Sequence, residues 1–115
     1  MLSAAGATHA GRLRHRMILE RATRTPDGAG GEALAWSEAA RFFAAIVPVR
    51  AEERVAGEGP GDRVTHRIAI RHRSGIAAGD RLRLGARLFT IRTIHDPQED
   101  GRFLVCLATE DGGLS

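Results

Sequence analysis

The 115-residue chain contains no lysine and no tyrosine, one cysteine and one tryptophan. Each shortage removes a class of function. A single thiol, Cys106, can close no internal disulfide and build no zinc–thiolate cluster. Aromatic residues make up only 4% of the chain, so nucleobases would find few rings to stack on. No apolar run approaches the ~18–20 residues of a membrane-spanning helix. The N-terminus lacks the apolar centre of a secretory signal, which predicts a cytosolic start and no membrane partner. The glycine-rich stretch at residues 27–31 has no Lys-Ser/Thr after it and cannot be read as G-x-G-x-x-G, so it is no phosphate cradle.

What remains is a normal globular mixture, 43% hydrophobic and 27% charged, at the length of one domain. All seventeen basic residues are arginine. They come in blocks: residues 1–25 carry a net +4, residues 26–62 a net −4, residues 63–95 a net +7 and residues 96–115 a net −4. Alternation of this kind suits a protein that meets nucleic acid or the acidic patch of a neighbour. The plainer reading is a wet charged face in a chain whose arginine bias follows genome composition.

The spacing predicts an all-β fold. Residues 1–11 read as a loose arm, residues 12–110 as one domain and residues 111–115 as a fraying tail, with Glu110 already part of the frayed end. Residues 12–25 read as a strand, followed by a loop dense in turn formers. Residues 34–50 are ambiguous. Ser37 could cap a short alanine-rich helix running to Ile46, or Phe42, Ala44 and Ile46 could line one face of a strand, and periodicity slightly favours the helix. Residues 51–57 read as two helical turns. Residues 63–73 give the clearest signal: Val64, His66, Ile68, Ile70 and His72 alternate with Arg63, Thr65, Arg67, Ala69, Arg71 and Arg73. Residues 81–84, 87–94 and 102–109 complete the strands, the last being apolar enough to imply burial on both faces. Five to seven strands with long loops and at most one or two short helices make a small antiparallel β-barrel or sandwich.

No catalytic constellation can be assembled. His66 and His72 lie ~20 Å apart along one strand, too far to share a metal. His95 and Cys106 could meet across a hairpin, but two ligands are fewer than a structural zinc needs. Cys106 sits among Phe103, Leu104, Val105 and Leu107, the setting of an inert core thiol. Phe42, Phe43, Phe89 and Phe103 all stand in apolar strand contexts and read as core. The expectation is no enzyme, no cofactor and no metal.

Several segments, in order, resemble a known family. Residues 11–16, with Leu13 and Arg16, resemble its opening L..R strand. Asp27, Gly30, Gly31 and Trp36 resemble its D..GG….W stretch. Residues 44–48, ending in Pro48, and Glu52 or Glu53 after them resemble its WA.V.P strand and following acid. Residues 65–73 resemble TH.V.IRYR, Gly79 to Ile91 resemble G.R….GR.F.I, and Asp96-Pro97 resembles the I.DP turn. Phe43 departs from the usual tryptophan and His72 from the common tyrosine. The family is that of the small head–tail joining proteins of long-tailed bacteriophages, also called stopper or head-closure proteins.

The resemblance implies that residues 42–48 form a strand, against the periodicity. It implies a structural neck protein of a phage, prophage or gene-transfer particle, held in the host cytoplasm before assembly. Its partners would be its own copies in a ring of 6 or 12, a portal-bound adaptor, a tail terminator or tail tube protein, and passing double-stranded DNA. A sphere with the ~13 Å radius of gyration usual for this length would, six to a ring, leave a hole wide enough for a duplex. Arg63, Arg67, Arg71 and Arg73 would face a neighbouring subunit or the DNA channel. The loop of Gly57, Glu58, Gly59, Pro60 and Gly61 would be the mobile gate. The alternative is a stand-alone barrel that binds nucleic acid through the arginine face.

Overall fold

A computed structural model describes residues 12–50 and 63–111. They form six strands: β1 (His15–Pro26), β2 (Glu32–Pro48), β3 (His66–Arg71), β4 (Arg81–Leu84), β5 (Arg87–His95) and β6 (Phe103–Asp111). Every ladder is antiparallel, and the sheet closes on itself in the order β1-β2-β3-β6-β5-β4. The expected all-β fold is therefore a barrel rather than a sandwich. The expected arm at residues 1–11, the helical turns at 51–57, the loop from Gly57 to Gly61 and residues 112–115 of the tail lie outside the described residues.

Period-2 alternation builds the core. Met17 and Leu19 of β1, Ile68 and Ile70 of β3, Leu82 of β4, Phe89 and Ile91 of β5, and Cys106 of β6 are all sealed from solvent. Fully burying a large apolar side chain contributes ~1.5–3 kcal/mol, so this inward row is the main source of stability. On β2 the same alternation turns Ala40, Phe42, Ala44 and Ile46 toward the core. The helix that periodicity favoured here is not formed. Closing the barrel requires a ladder partner for both β1 and β3, and only an extended segment supplies one on each edge.

Two bulges bend the sheet. Leu19 lies opposite Ala40 and Glu20 opposite Glu38, which leaves Ala39 as an extra residue in β2. Ile91 lies opposite Ala108 and Thr93 opposite Leu107, which leaves Arg92 extra in β5. Beyond the first bulge, β1 and β2 continue as a two-stranded arm that leaves the barrel. The arm makes the molecule 53 × 31 × 26 Å, with a radius of gyration of 15.1 Å. That exceeds the ~13 Å of a compact chain of this length, so the spherical estimate made from the sequence does not hold.

Other differences have local causes. The regular part of β3 is shorter than the alternation in residues 63–73. At its start, threonine hydroxyls take over: Thr65 Oγ1 accepts from the Glu110 amide at 2.7 Å, and Thr109 Oγ1 donates to the Arg63 carbonyl at 2.7 Å. Those bonds also hold Glu110 within β6, where the sequence suggested fraying. The β4–β5 corner turns at Gly85, whose φ of 61° suits a residue without a side chain.

Candidate functional site

The outer wall of β2, β3 and β6 carries the arginine face. Register places Arg16, Phe43, Arg71 and Phe103 side by side across β1, β2, β3 and β6. Ala44 pairs with Ile70 and Ala45 with Ala69, so Phe43 meets Arg71 one step further along. The next outward row is Ala45, Ala69 and Val105, of which Ala69 and Val105 are themselves buried, and the one after is Val47, Arg67 and Leu107. This wall is mostly apolar, with guanidinium groups set into it. Phe43 is 51% exposed and Val47 39%, and with Leu34 of the arm they are the large apolar side chains left exposed among the described residues. The Arg16 guanidinium lies 5.7 Å from the centre of the Phe43 ring. Leu13, Phe42, Phe43 and Arg71 line an open groove of about 320 Å³ at the end of this wall.

The four arginines expected to form one face are split by the fold. Arg67 and Arg71 share the outer side of β3 and follow its alternation. Arg73 has left the strand: its Nε donates to the Ser74 carbonyl, and its guanidinium covers Phe42 at 5.3 Å. Arg63 precedes the strand and is exposed, its backbone tied to Thr109. They do not converge on an enclosed cleft. Phe43, read as core from the sequence, is the residue that reasoning missed. Phe42 and Phe43 are consecutive in a strand, so only one of them can point inward.

A second charged cluster anchors the arm. Glu20 follows the core residue Leu19 and therefore faces outward, yet it is only 7% exposed. Arg81 Nε donates to it at 2.6 Å and Arg83 Nε at 2.9 Å. Burial alone would push the Glu20 carboxyl up, but the bonds and charges of Arg81 and Arg83 outweigh it and hold the group below its ordinary range. Arg81 also lies over the Trp36 ring at 4.1 Å, so Trp36, Arg81, Glu20 and Arg83 form one stack at the arm's base. On the other side of the ribbon, Arg21 donates to both carboxylate oxygens of the buried Asp80 and to the Gly75 carbonyl. At the tip, Asp27 Oδ1 accepts from the amides of Ala29 and Gly31, which lower its carboxyl and close the loop.

The remaining candidates for chemistry do not assemble. Cys106 lies opposite Ile94 and faces inward, whereas His95 is exposed on the outer side, so the two do not meet. Burial pushes the Cys106 thiol up to about 12. His66 packs edge-on against Phe89, with ring centres 5.1 Å apart, beside an Arg87–Glu110 ion pair at 2.9 Å. Among the described residues, no three metal-ligating side chains come together.

A family model for phage head completion proteins matches residues 8–111. The chain belongs to that family. Its role is therefore that of a structural component of a phage-type head, a class that is not enzymatic. A chain in the virion of a native gene transfer agent particle is 30% identical, superimposes with a TM-score of 0.65, and shares 84% of this chain and 93% of its own. The solution structure of protein SF1141 from Shigella flexneri 2a superimposes with a TM-score of 0.68 at 24% identity, over 92% of this chain and 99% of that one, and so shares the fold. No curated protein matches.

Proposed function

We propose that this head completion protein forms a ring at the particle neck, between the portal-bound adaptor and the tail, closing the capsid exit and passing DNA on ejection. The observation that carries the proposal is the outer wall of β2, β3 and β6. Exposed Phe43 and Val47 alternate there with Arg71 and Arg67 on a domain whose core is already filled. A monomer gains nothing by presenting large apolar groups to water, whereas a subunit packed against protein buries them. The inset guanidinium groups set the register of that packing through acidic segments of a neighbour. Membership of the head completion family and the likeness to a chain of a gene transfer agent virion support the location.

The test is assembly with Phe43→Ser and Arg71→Glu together. Both positions are on the outer wall, so the barrel should fold. The expected result is particles that package DNA but lose it, or that lack tails. Full, tailed particles in wild-type number would overturn the assignment of this wall. For the stand-alone nucleic-acid reading, a salt titration with duplex DNA discriminates: steep loss of affinity with salt by a monomer would favour it.

A further inference from the structure

The arm is a sheet with two open sides. Within the barrel each strand has a ladder partner on both edges. β1 pairs with β4 only at Ile18, Leu19 and Glu20, and β2 pairs with β3 only from Ala44 to Pro48. Beyond those points, and beyond Phe43 beside Arg71, residues 21–26 and 32–42 each have one edge with no strand against it among the described residues. Two strands alone are marginally stable in water, and a third strand or a packed face is normally needed.

These edges are poorly defended. Proteins blunt exposed edges with charge, proline or a bulge. Here the proline, Pro26, is at the tip and the bulge, Ala39, is at the base. Between them, residues 33–37 read Ala-Leu-Ala-Trp-Ser, with no charge and no proline. The β1 side carries Arg24 and Arg21, the latter held by Asp80, while the β2 side carries Glu32, Glu38 and Arg41, the last two paired with each other. One edge strand is therefore net basic and the other net acidic. Arg24 and Glu32 remain 68% and 61% exposed even though they pair within the arm at 3.6 Å, which leaves each room for a second partner.

We infer that the occupant of each open edge is the arm of a second copy: the β1 edge of one arm pairs antiparallel with the β2 edge of the next. Both complementary edges exist on the same ribbon, so copies placed side by side and pointing the same way satisfy one another in an up-down-up-down sheet. The contact is head to tail, and it closes only if the copies form a ring. Closure rests on the ring reading above, but pairing of two arms does not. Period-2 alternation would then place Arg21, Thr23, Thr25, Ala33, Ala35 and Ser37 on one continuous face of mostly small residues, and Ala22, Arg24, Leu34 and Trp36 on the other.

The test uses full-length chains with one added cysteine each. Buried Cys106 stays silent in the folded protein. Thr23 lies directly opposite Ala35 within an arm, so both cysteines in one chain would simply cross-link internally. Thr23→Cys is therefore mixed with Ala33→Cys, Ala35→Cys or Ser37→Cys in turn, concentrated and oxidised. Neighbouring positions on one face are ~6.6 Å apart, so three of them cover the plausible stagger. The expected result is a mixed disulfide at least ~10-fold more abundant than either homodimer at one of the three positions, as the tight geometry of the bond demands. Equal yields at all three positions, or no mixed disulfide at any concentration, would overturn the inference. Mass spectrometry of purified particles tests the neck reading separately. Rings without the mixed disulfide would sink the arm contact and leave that reading standing, while absence of the chain from particles would do the reverse.

Discussion

Replacing Glu20 by glutamine keeps the shape of the side chain and removes its charge. The carboxylate accepts from Arg81 at 2.6 Å and from Arg83 at 2.9 Å, with side-chain exposures of 10% for Glu20, 21% for Arg81 and 39% for Arg83. A hydrogen bond to a charged group contributes ~1.5–3 kcal/mol, so two would approach ~3–6 kcal/mol if fully buried. The guanidinium groups keep part of their hydration, and a glutamine oxygen still accepts one bond, so a net loss of ~2 kcal/mol is expected. Urea unfolding at neutral pH should show the midpoint falling by ~1 M with unchanged slope, taking a slope of ~2 kcal/mol/M. The pH dependence adds a second constraint. The Glu20 pKa is lower when folded, so its contribution is complete above the ordinary carboxylate value near ~4.3 and is lost as pH falls through the folded value. The gap between wild type and Glu20→Gln should be constant from pH 6 to 8, on the order of the loss above, and should shrink on acidification below ~4. A midpoint within ~0.2 M of wild type at pH 7, or a gap undiminished at pH 2, would refute the reasoning.

Other substitutions probe other parts of the molecule. Phe89→Ala should cost ~3–5 kcal/mol, because the ring is fully buried and its removal leaves a cavity beneath His66; calorimetry that showed less than ~1 kcal/mol would contradict the core assignment. Thr65→Val removes a hydroxyl that accepts from the Glu110 amide at 2.7 Å, and hydrogen exchange at that amide should rise while the barrel stays folded, at a cost of ~1–2 kcal/mol. Cys106 should react with iodoacetamide at pH 8 on the order of a thousandfold more slowly in the folded protein than in urea; fast labelling under native conditions would show that the thiol is not in the core.

The barrel was legible in sequence wherever one face is wet and the other dry. β3 is the best case: Ile68 and Ile70 point in, Arg67 and Arg71 point out, and the alternation says so directly. β2 was not legible by period. Alanines at 33, 35, 39, 40, 44 and 45 suit a helix as well as a strand, and the bulge at Ala39 shifts the phase in mid-strand. Resemblance corrected that segment because family pattern encodes pairing, which local spacing does not. The anchor of the arm was invisible for a similar reason. Glu20 is 61 residues from Arg81 and 63 from Arg83, and nothing in a one-dimensional pattern joins them. The outer wall was half visible: its arginines were read, while Phe43 was assigned to the interior.

The order of strands around the barrel also constrains how the chain is made. β6 sits between β3 and β5, and β1 is joined to β4 across a long separation in sequence. Until residue 111 has left the ribosome, the cylinder is missing a stave and its hydrophobic lining faces water. Such distant pairings are slow to find, and the exposed intermediate is prone to aggregate. The interior is therefore sealed only once β6 is in place, and a nascent chain stalled within β6 would be an early target for chaperones and proteases.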